Sequence, residues 1–184
     1  DGDQLLVTPA RPLPAGAEFN VQVRYRGRPS PSNDPAVLSG WFWTAGLGTV
    51  AAEPFGAQTW FPANDHPLDK ATYRLQVTVP RPLVVASNGL LVEIVAEGDA
   101  LTYVWQARHP IASYLVTVSI DEYEMHETVT PDGLPLVSFA PPAELAALET
   151  AAAATASMIG YFEDLFGPYP CEAYGLVAVQ GRLP

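Results

Sequence analysis

Runs that alternate apolar with polar residues, broken by clusters of turn-forming residues, constrain this chain more than anything else in it. Tyr73, Leu75, Val77 and Val79 alternate with Thr72, Arg74, Gln76 and Thr78, the period of two of a half-buried strand. Phe19, Val21, Val23 and Tyr25 alternate in the same way with Asn20, Gln22, Arg24 and Arg26, which predicts another. Leu101, Tyr103 and Trp105 share a face, as do Tyr114, Val116, Val118 and Ile120. Arg28–Pro35 reads as a loop, because its prolines leave no donor for a ladder. Ser87-Asn88-Gly89 is expected to be a hairpin-type turn into Leu90–Val95. Glu97-Gly98-Asp99 and Thr130-Pro131-Asp132-Gly133 punctuate the chain again, the latter before Leu134–Phe139. Short strands with turns about every 8–12 residues predict a mainly β protein, an antiparallel β-sandwich or barrel-like domain.

The period changes at Pro141. Leu145, Leu148, Ala152, Thr155, Ile159, Phe162 and Phe166 recur at steps of three and four, one face of a long helix. Gly167-Pro168 stops it, and Tyr174–Gln180 reads as one more strand. This order predicts a β domain over 1–139 and the start of a second domain over 140–184. The competing reading is that the helix closes the β domain from outside.

Of the 184 residues, 48% are hydrophobic, enough for a core. Twenty acids face nine bases, for a net charge of −11. A nucleic-acid partner needs a basic surface and is excluded on that ground. An acidic surface attracts cations, a free amino terminus among them, although charge of this size also simply keeps a protein soluble. Cys171 is the single cysteine, so no internal disulfide and no four-cysteine metal site can form. No apolar run approaches the roughly 18 residues of a bilayer span, and the first residues carry no signal peptide pattern. The start at Asp1 and the end at Arg182-Leu183-Pro184 lead to the expectation that both ends were cut from something larger. The expected setting is cytoplasmic.

Few residues offer chemistry. His126-Glu127 opens like a helical H-E-x-x-H zinc site, but Thr128-Val129-Thr130-Pro131 follows and the second histidine is missing. His66 and His109 each precede a proline and read as turn residues. Gly46–Ala51 matches a dinucleotide-binding glycine pattern only superficially, since Glu53-Pro54 leaves no room for the helix that pattern must open. No G-x-S-x-G nucleophile occurs. Asp121-Glu122 and Glu163-Asp164 are neighbouring carboxylates expected to point apart. No catalytic residue and no metal ligand is therefore expected in this chain. Trp41, Trp43 and Trp60 could form a stacking platform for a ligand, or be core; large aromatics are mostly buried.

The stretch Glu53–Tyr73 is irregular and stiff. Pro54, Pro62 and Pro67 hold the residues before them extended, and Asn64 and Asp65 can bond their own backbone in a turn. A rigid loop mounted on a strand is a common way to aim a side chain at a ligand.

Within that stretch, Trp60-Phe61-Pro62-Ala63-Asn64-Asp65-His66-Pro67-Leu68-Asp69-Lys70-Ala71-Thr72-Tyr73 resembles the W-F-P-C-x-D-x-P-x-x-K-A-T-F segment of the aminopeptidase N family of zinc peptidases, which includes leukotriene-hydrolase-type enzymes. Val85-Ala86-Ser87-Asn88-Gly89 resembles that family's ALSNG turn, and Ser113-Tyr114-Leu115-Val116 its YL strand. Phe166-Gly167-Pro168-Tyr169-Pro170 resembles the stop after the first helix of its catalytic domain. These matches fall in order over nearly the whole chain.

The resemblance implies a saddle-like, mainly β N-terminal domain followed by the opening helix and strand of a truncated thermolysin-like catalytic domain. It implies a parent that is a zinc-dependent aminopeptidase removing N-terminal residues from peptides. Zinc would bind in the parent only, and this part would be inactive alone, packed on the missing catalytic domain. It carries over one substrate-binding residue: Glu53, by its spacing to Trp60-Phe61-Pro62, stands where the family places an acid that binds the free α-amino group of a peptide. A carboxylate bound to an ammonium makes a charge-assisted hydrogen bond and restricts cleavage to the first residue. Two positions depart from the pattern: Gln58 stands where an arginine is usual, and Ala63 where a cysteine is. The alternatives are a non-catalytic interaction protein on the same scaffold and an unrelated ligand-binding β-sandwich.

Overall fold

The computed structural model describes residues 4–34, 37–44 and 47–180. Pro35, Gly46 of the rejected glycine pattern, and Arg182-Leu183-Pro184 lie outside them. Among the described residues nine strands and one α-helix follow in order: β1 (Gly40–Thr44), β2 (Leu47–Ala51), β3 (Ala71–Pro80), β4 (Val84–Ser87), β5 (Leu90–Glu97), β6 (Ala100–Ile111), β7 (Val118–Asp121), β8 (Glu124–Val129), β9 (Pro135–Ala140) and α1 (Leu145–Phe166). They make a four-stranded sheet β1-β2-β7-β4, a three-stranded sheet β3-β6-β5 and a two-stranded sheet β8-β9. All strand pairs within these sheets are antiparallel, as the alternation predicts for a mainly β fold.

The core forms where the larger sheets meet. Val85 and Val118 of the four-stranded sheet, Val79, Tyr103 and Trp105 of the three-stranded sheet, and Phe139 of β9 are buried in one cluster. Trp105 ties the three layers together. Its Nε1–H donates to the Val85 carbonyl at 3.1 Å, and its ring meets Phe139 edge-on with centroids 5.9 Å apart.

Several expectations fail instructively. Phe19–Tyr25 forms no strand and its apolar residues are exposed. Alternation marks a strand only when a neighbour supplies ladder bonds, and among the described residues none does. Ser87-Asn88-Gly89 is not a hairpin: β4 pairs with β7 and β5 with β6, so the turn switches sheets. Asn88 fixes that switch, donating to the Leu115 carbonyl at 3.0 Å and accepting the Thr117 N–H at 2.7 Å. Ser113–Leu115 coils into a 3-10 turn, so the strand expected from Tyr114 begins only at Val118. His109 lies within β6 rather than in a turn.

α1 buries Leu148, Ala152 and Ile159, whereas Phe162 and Phe166 of the expected apolar face stay exposed. Length explains this. A six-residue strand such as β9 spans about 20 Å, whereas the 22 residues of α1 run about 33 Å, so the last turns overhang. With the short turn before it, Pro142–Phe166 is also long and apolar enough to cross a bilayer by length and composition alone, which the sequence reading did not anticipate; alanine supplies much of that apolarity.

Past Gly167 the chain returns to β9 and runs parallel to it. Val137 N–H donates to the Tyr174 carbonyl (2.9 Å), Phe139 N–H to Leu176 (2.8 Å), and Ala178 N–H to Phe139 (2.8 Å). The strand expected over Tyr174–Gln180 thus appears as a short parallel pairing, making β9, α1 and 174–178 a β-α-β unit. Glu172 fastens this segment to β6: it accepts the Arg108 N–H at 2.5 Å and contacts His109 Nδ1 at 2.6 Å. Beside it, burial pushes the Tyr169 phenol up to about 12, with Cys171, Tyr174 and Glu172 adding to the shift.

Burial opposes the charge on Glu172, but the Arg108 N–H and the His109 ring outweigh it and hold the carboxyl below its ordinary range. A folded value below the unfolded one means that the carboxylate stabilises the fold. That contribution is complete above the ordinary glutamate range and is lost as pH falls through the lowered folded value. Replacing Glu172 with Gln is expected to lower stability near neutrality and to flatten its fall in acid, measured by urea denaturation at a series of pH values. An acid limb as steep as that of the unaltered chain would refute this role.

Candidate functional site

Glu53 sits at the tip of a tight turn that leaves the end of β2. Ala52 is buried, and its carbonyl accepts the Gly56 N–H at 2.6 Å, so Glu53, Pro54 and Phe55 project into solvent between two anchored residues. The Glu53–Pro54 peptide bond is cis. Among the described residues the Glu53 carboxylate has no ion-pair partner.

A 3-10 turn, Ala57–Thr59, follows directly. The Gly56 carbonyl accepts both the Thr59 N–H (3.1 Å) and the Thr59 hydroxyl (2.7 Å). The Ala57 carbonyl accepts the N–H groups of Trp60 and Phe61 at 3.2 and 3.3 Å. Gln58, at the position where the resembled pattern has arginine, reaches only its own turn: Nε2 donates to the Phe55 carbonyl at 3.4 Å.

Behind the turn runs a ladder of aromatic rings. Trp43 meets Trp41 at 5.4 Å, Trp41 meets Trp60 at 5.9 Å, Trp60 meets Phe61 at 4.6 Å and Phe61 meets Tyr73 at 6.3 Å between centroids. Offset and edge-on rings at these spacings attract beyond the area they bury. The three tryptophans do not form an exposed platform. Trp41 is buried and Trp60 partly so, while Trp43 lies under the Arg28 guanidinium at 4.8 Å and donates to the Pro29 carbonyl at 2.7 Å.

Asp65 bonds across the fold rather than to its own backbone, accepting the Ser113 hydroxyl at 2.6 Å. Asn64 instead donates to the Asp69 carboxylate at 2.8 Å. Burial, and then the nearby Asp69 and Asp65, raise the Tyr73 phenol. The 60–73 stretch is therefore an anchored base and the 53–56 turn its projecting tip.

The histidines do not converge. His66 accepts the Leu68 N–H at 3.2 Å, His109 pairs with Glu172, and His126 lies 3.4 Å from Glu149. Among the described residues no group of three His, Cys, Asp or Glu side chains could hold a metal ion. The side chains of the described residues do not fit a zinc site.

Residues 46–115, which contain the Glu53 turn, its anchor and the Asn88 switch, match the Peptidase M1 N-terminal domain. This stretch belongs to that family. The fold agrees over a wider span: a mutant M1 zinc metallopeptidase from Deinococcus radiodurans, solved with a Tyr-Ser-Ala substrate, superposes with a TM-score of 0.73 at 28% identity, over 86% of this chain and 38% of that one. Aminopeptidase N of Acetobacter pasteurianus is 31% identical over 128 residues, covering 68% of this chain and 36% of the relative. Human endoplasmic reticulum aminopeptidase 1 is 24% identical over 183 residues, 96% of this chain and 19% of its own. The chain thus spans well under half the length of the relatives it matches.

Thr59, Gly56 and Gly40 escaped the sequence reading, although each holds the site together, and Ser113 entered it only as part of the YL match, without its bond to Asp65. A threonine three residues after a glycine was the only local hint for the first pair. Nothing local connects His109 to Glu172, 63 positions away.

Proposed function

We propose that this M1 N-terminal domain works as part of a zinc aminopeptidase, in which Glu53 binds the α-ammonium of a peptide substrate. One observation carries the reading: an exposed carboxylate with no ion-pair partner among the described residues stands at the tip of a turn closed by backbone hydrogen bonds, and behind it lies a continuous aromatic base. A carboxylate carried on a turn that is already closed binds an ammonium without the cost of ordering its backbone. By placing that charge at a fixed distance from the scissile bond, it selects the first residue of a chain over all others.

In this reading residues 1–139 are the β domain and 140–184 open the catalytic domain. β9 is the strand they share, antiparallel to β8 on one side and parallel to 174–178 on the other. The overhanging Phe162 and Phe166 are then covered by the rest of the catalytic domain. The zinc is held by residues of the full-length protein other than those described, and would supply the activated water. The chain alone is expected to be inactive: zinc-dependent release of tyrosine from Tyr-Ser-Ala by the purified chain would overturn this. The amine role is tested by Glu53→Ala in the full-length protein.

A further inference from the structure

We propose that Thr59 is a positioning residue for Glu53, holding the acid through a three-way contact with Gly56 and Gly40. The inference rests on the reading of Glu53 as the amine anchor. The tip carrying Glu53 is closed by Gly56, so whatever fixes Gly56 fixes the acid. Thr59 places two bonds on the Gly56 carbonyl, from its N–H at 3.1 Å and its hydroxyl at 2.7 Å. Gln58 adds little at 3.4 Å, close to the limit of a useful bond.

The same threonine packs on β1. A Cβ at Gly40 would lie 2.4 Å from the Thr59 hydroxyl and 3.1 Å from its methyl. A Cβ at Gly56 would lie 2.4 Å from the Gly40 nitrogen and 2.7 Å from its Cα. Gly40 has φ +114°, a conformation open to glycine and strained for other residues. The turn therefore sits backbone to backbone on the first residue of β1, and the Thr59 side chain fills the remaining side. Neither glycine can gain a side chain without moving the turn, and with it Glu53.

The test is kinetic, in the full-length enzyme with Tyr-Ser-Ala as substrate. Thr59→Val keeps the shape and removes the hydroxyl; it is expected to raise KM roughly three- to tenfold, the worth of one hydrogen bond, with kcat changed far less. Thr59→Ser keeps the hydroxyl and should restore KM. In a Glu53→Ala background Thr59→Val should add nothing, because its effect passes through the acid. If Thr59→Val is not recovered folded, Thr59→Ala enters the same cycle. Equal impairment in Thr59→Ser, or a further loss on top of Glu53→Ala, would make Thr59 merely structural and overturn the proposal. An unimpaired Thr59→Val beside an impaired Glu53→Ala would overturn this inference alone. An unimpaired Glu53→Ala would overturn the amine reading and this inference with it.

Discussion

On the proposed function, Glu53→Ala in the full-length protein is expected to lower kcat/KM for Tyr-Ser-Ala at least tenfold. A hydrogen bond to a charged group contributes about 1.5–3 kcal/mol, which corresponds to roughly a ten- to 150-fold loss when transition-state binding is compared. The selectivity should fall with the rate. N-acetylated Tyr-Ser-Ala lacks the ammonium, so the unaltered enzyme should discriminate strongly against it, and the variant should discriminate far less. Glu53→Gln keeps an acceptor and loses the charge, and should fall between the two. A loss below about tenfold, under about 1.4 kcal/mol, would count against the acid as the anchor. So would a loss that is equal for free and acetylated peptides, because a role confined to scaffolding touches both alike.

How much of this was legible in the sequence depends on the range over which each feature is decided. Tyr73–Val79 shows its strand in its own alternation, and the Glu97-Gly98-Asp99 turn joins neighbours in one sheet, so both were readable. Phe19–Tyr25 carries an equally clear alternation and forms no strand, because ladder bonds come from a partner and a partner is not a local property. Ser87-Asn88-Gly89 was readable as a turn but not as a sheet switch, since Leu115 and Thr117, which fix it, lie 27 and 29 positions on. The helix announced itself at Pro141, yet how far along its apolar face it is covered was decided by the length of β9. Glu53 was singled out by the family resemblance, which places an acid at its distance from Trp60-Phe61-Pro62; its support was not legible, because Gly40 and Gly56 meet only when the β1–β2 hairpin brings them together.

Trp105→Ala is expected to cost about 3–5 kcal/mol of stability, the usual range for deleting a large buried aromatic ring. Three observations put it at the costly end. Trp105 is 1% exposed and lies on the central strand of its sheet, opposite Leu75 on one side and Leu91 on the other. Its ring supports Phe139, and Phe139 also leans on Tyr123 at 6.1 Å. Its indole N–H bonds the Val85 carbonyl in the facing sheet. Surrounding strands anchored on both sides collapse poorly into a cavity, so little of the loss is recovered. Trp105→Phe keeps a ring against Phe139 and drops the N–H, and should cost about 1–3 kcal/mol, the penalty for a buried acceptor that loses its donor. Because Phe139 belongs to β9, which α1 and 174–178 pack against, the damage should not stay within the β sheets. Urea unfolding followed by tryptophan fluorescence and by helical circular dichroism should shift together in Trp105→Ala. If the fluorescence transition moved while the helical signal stayed in place, β9 and α1 would be a unit that folds apart from the sandwich, and the shared-strand organisation would fall.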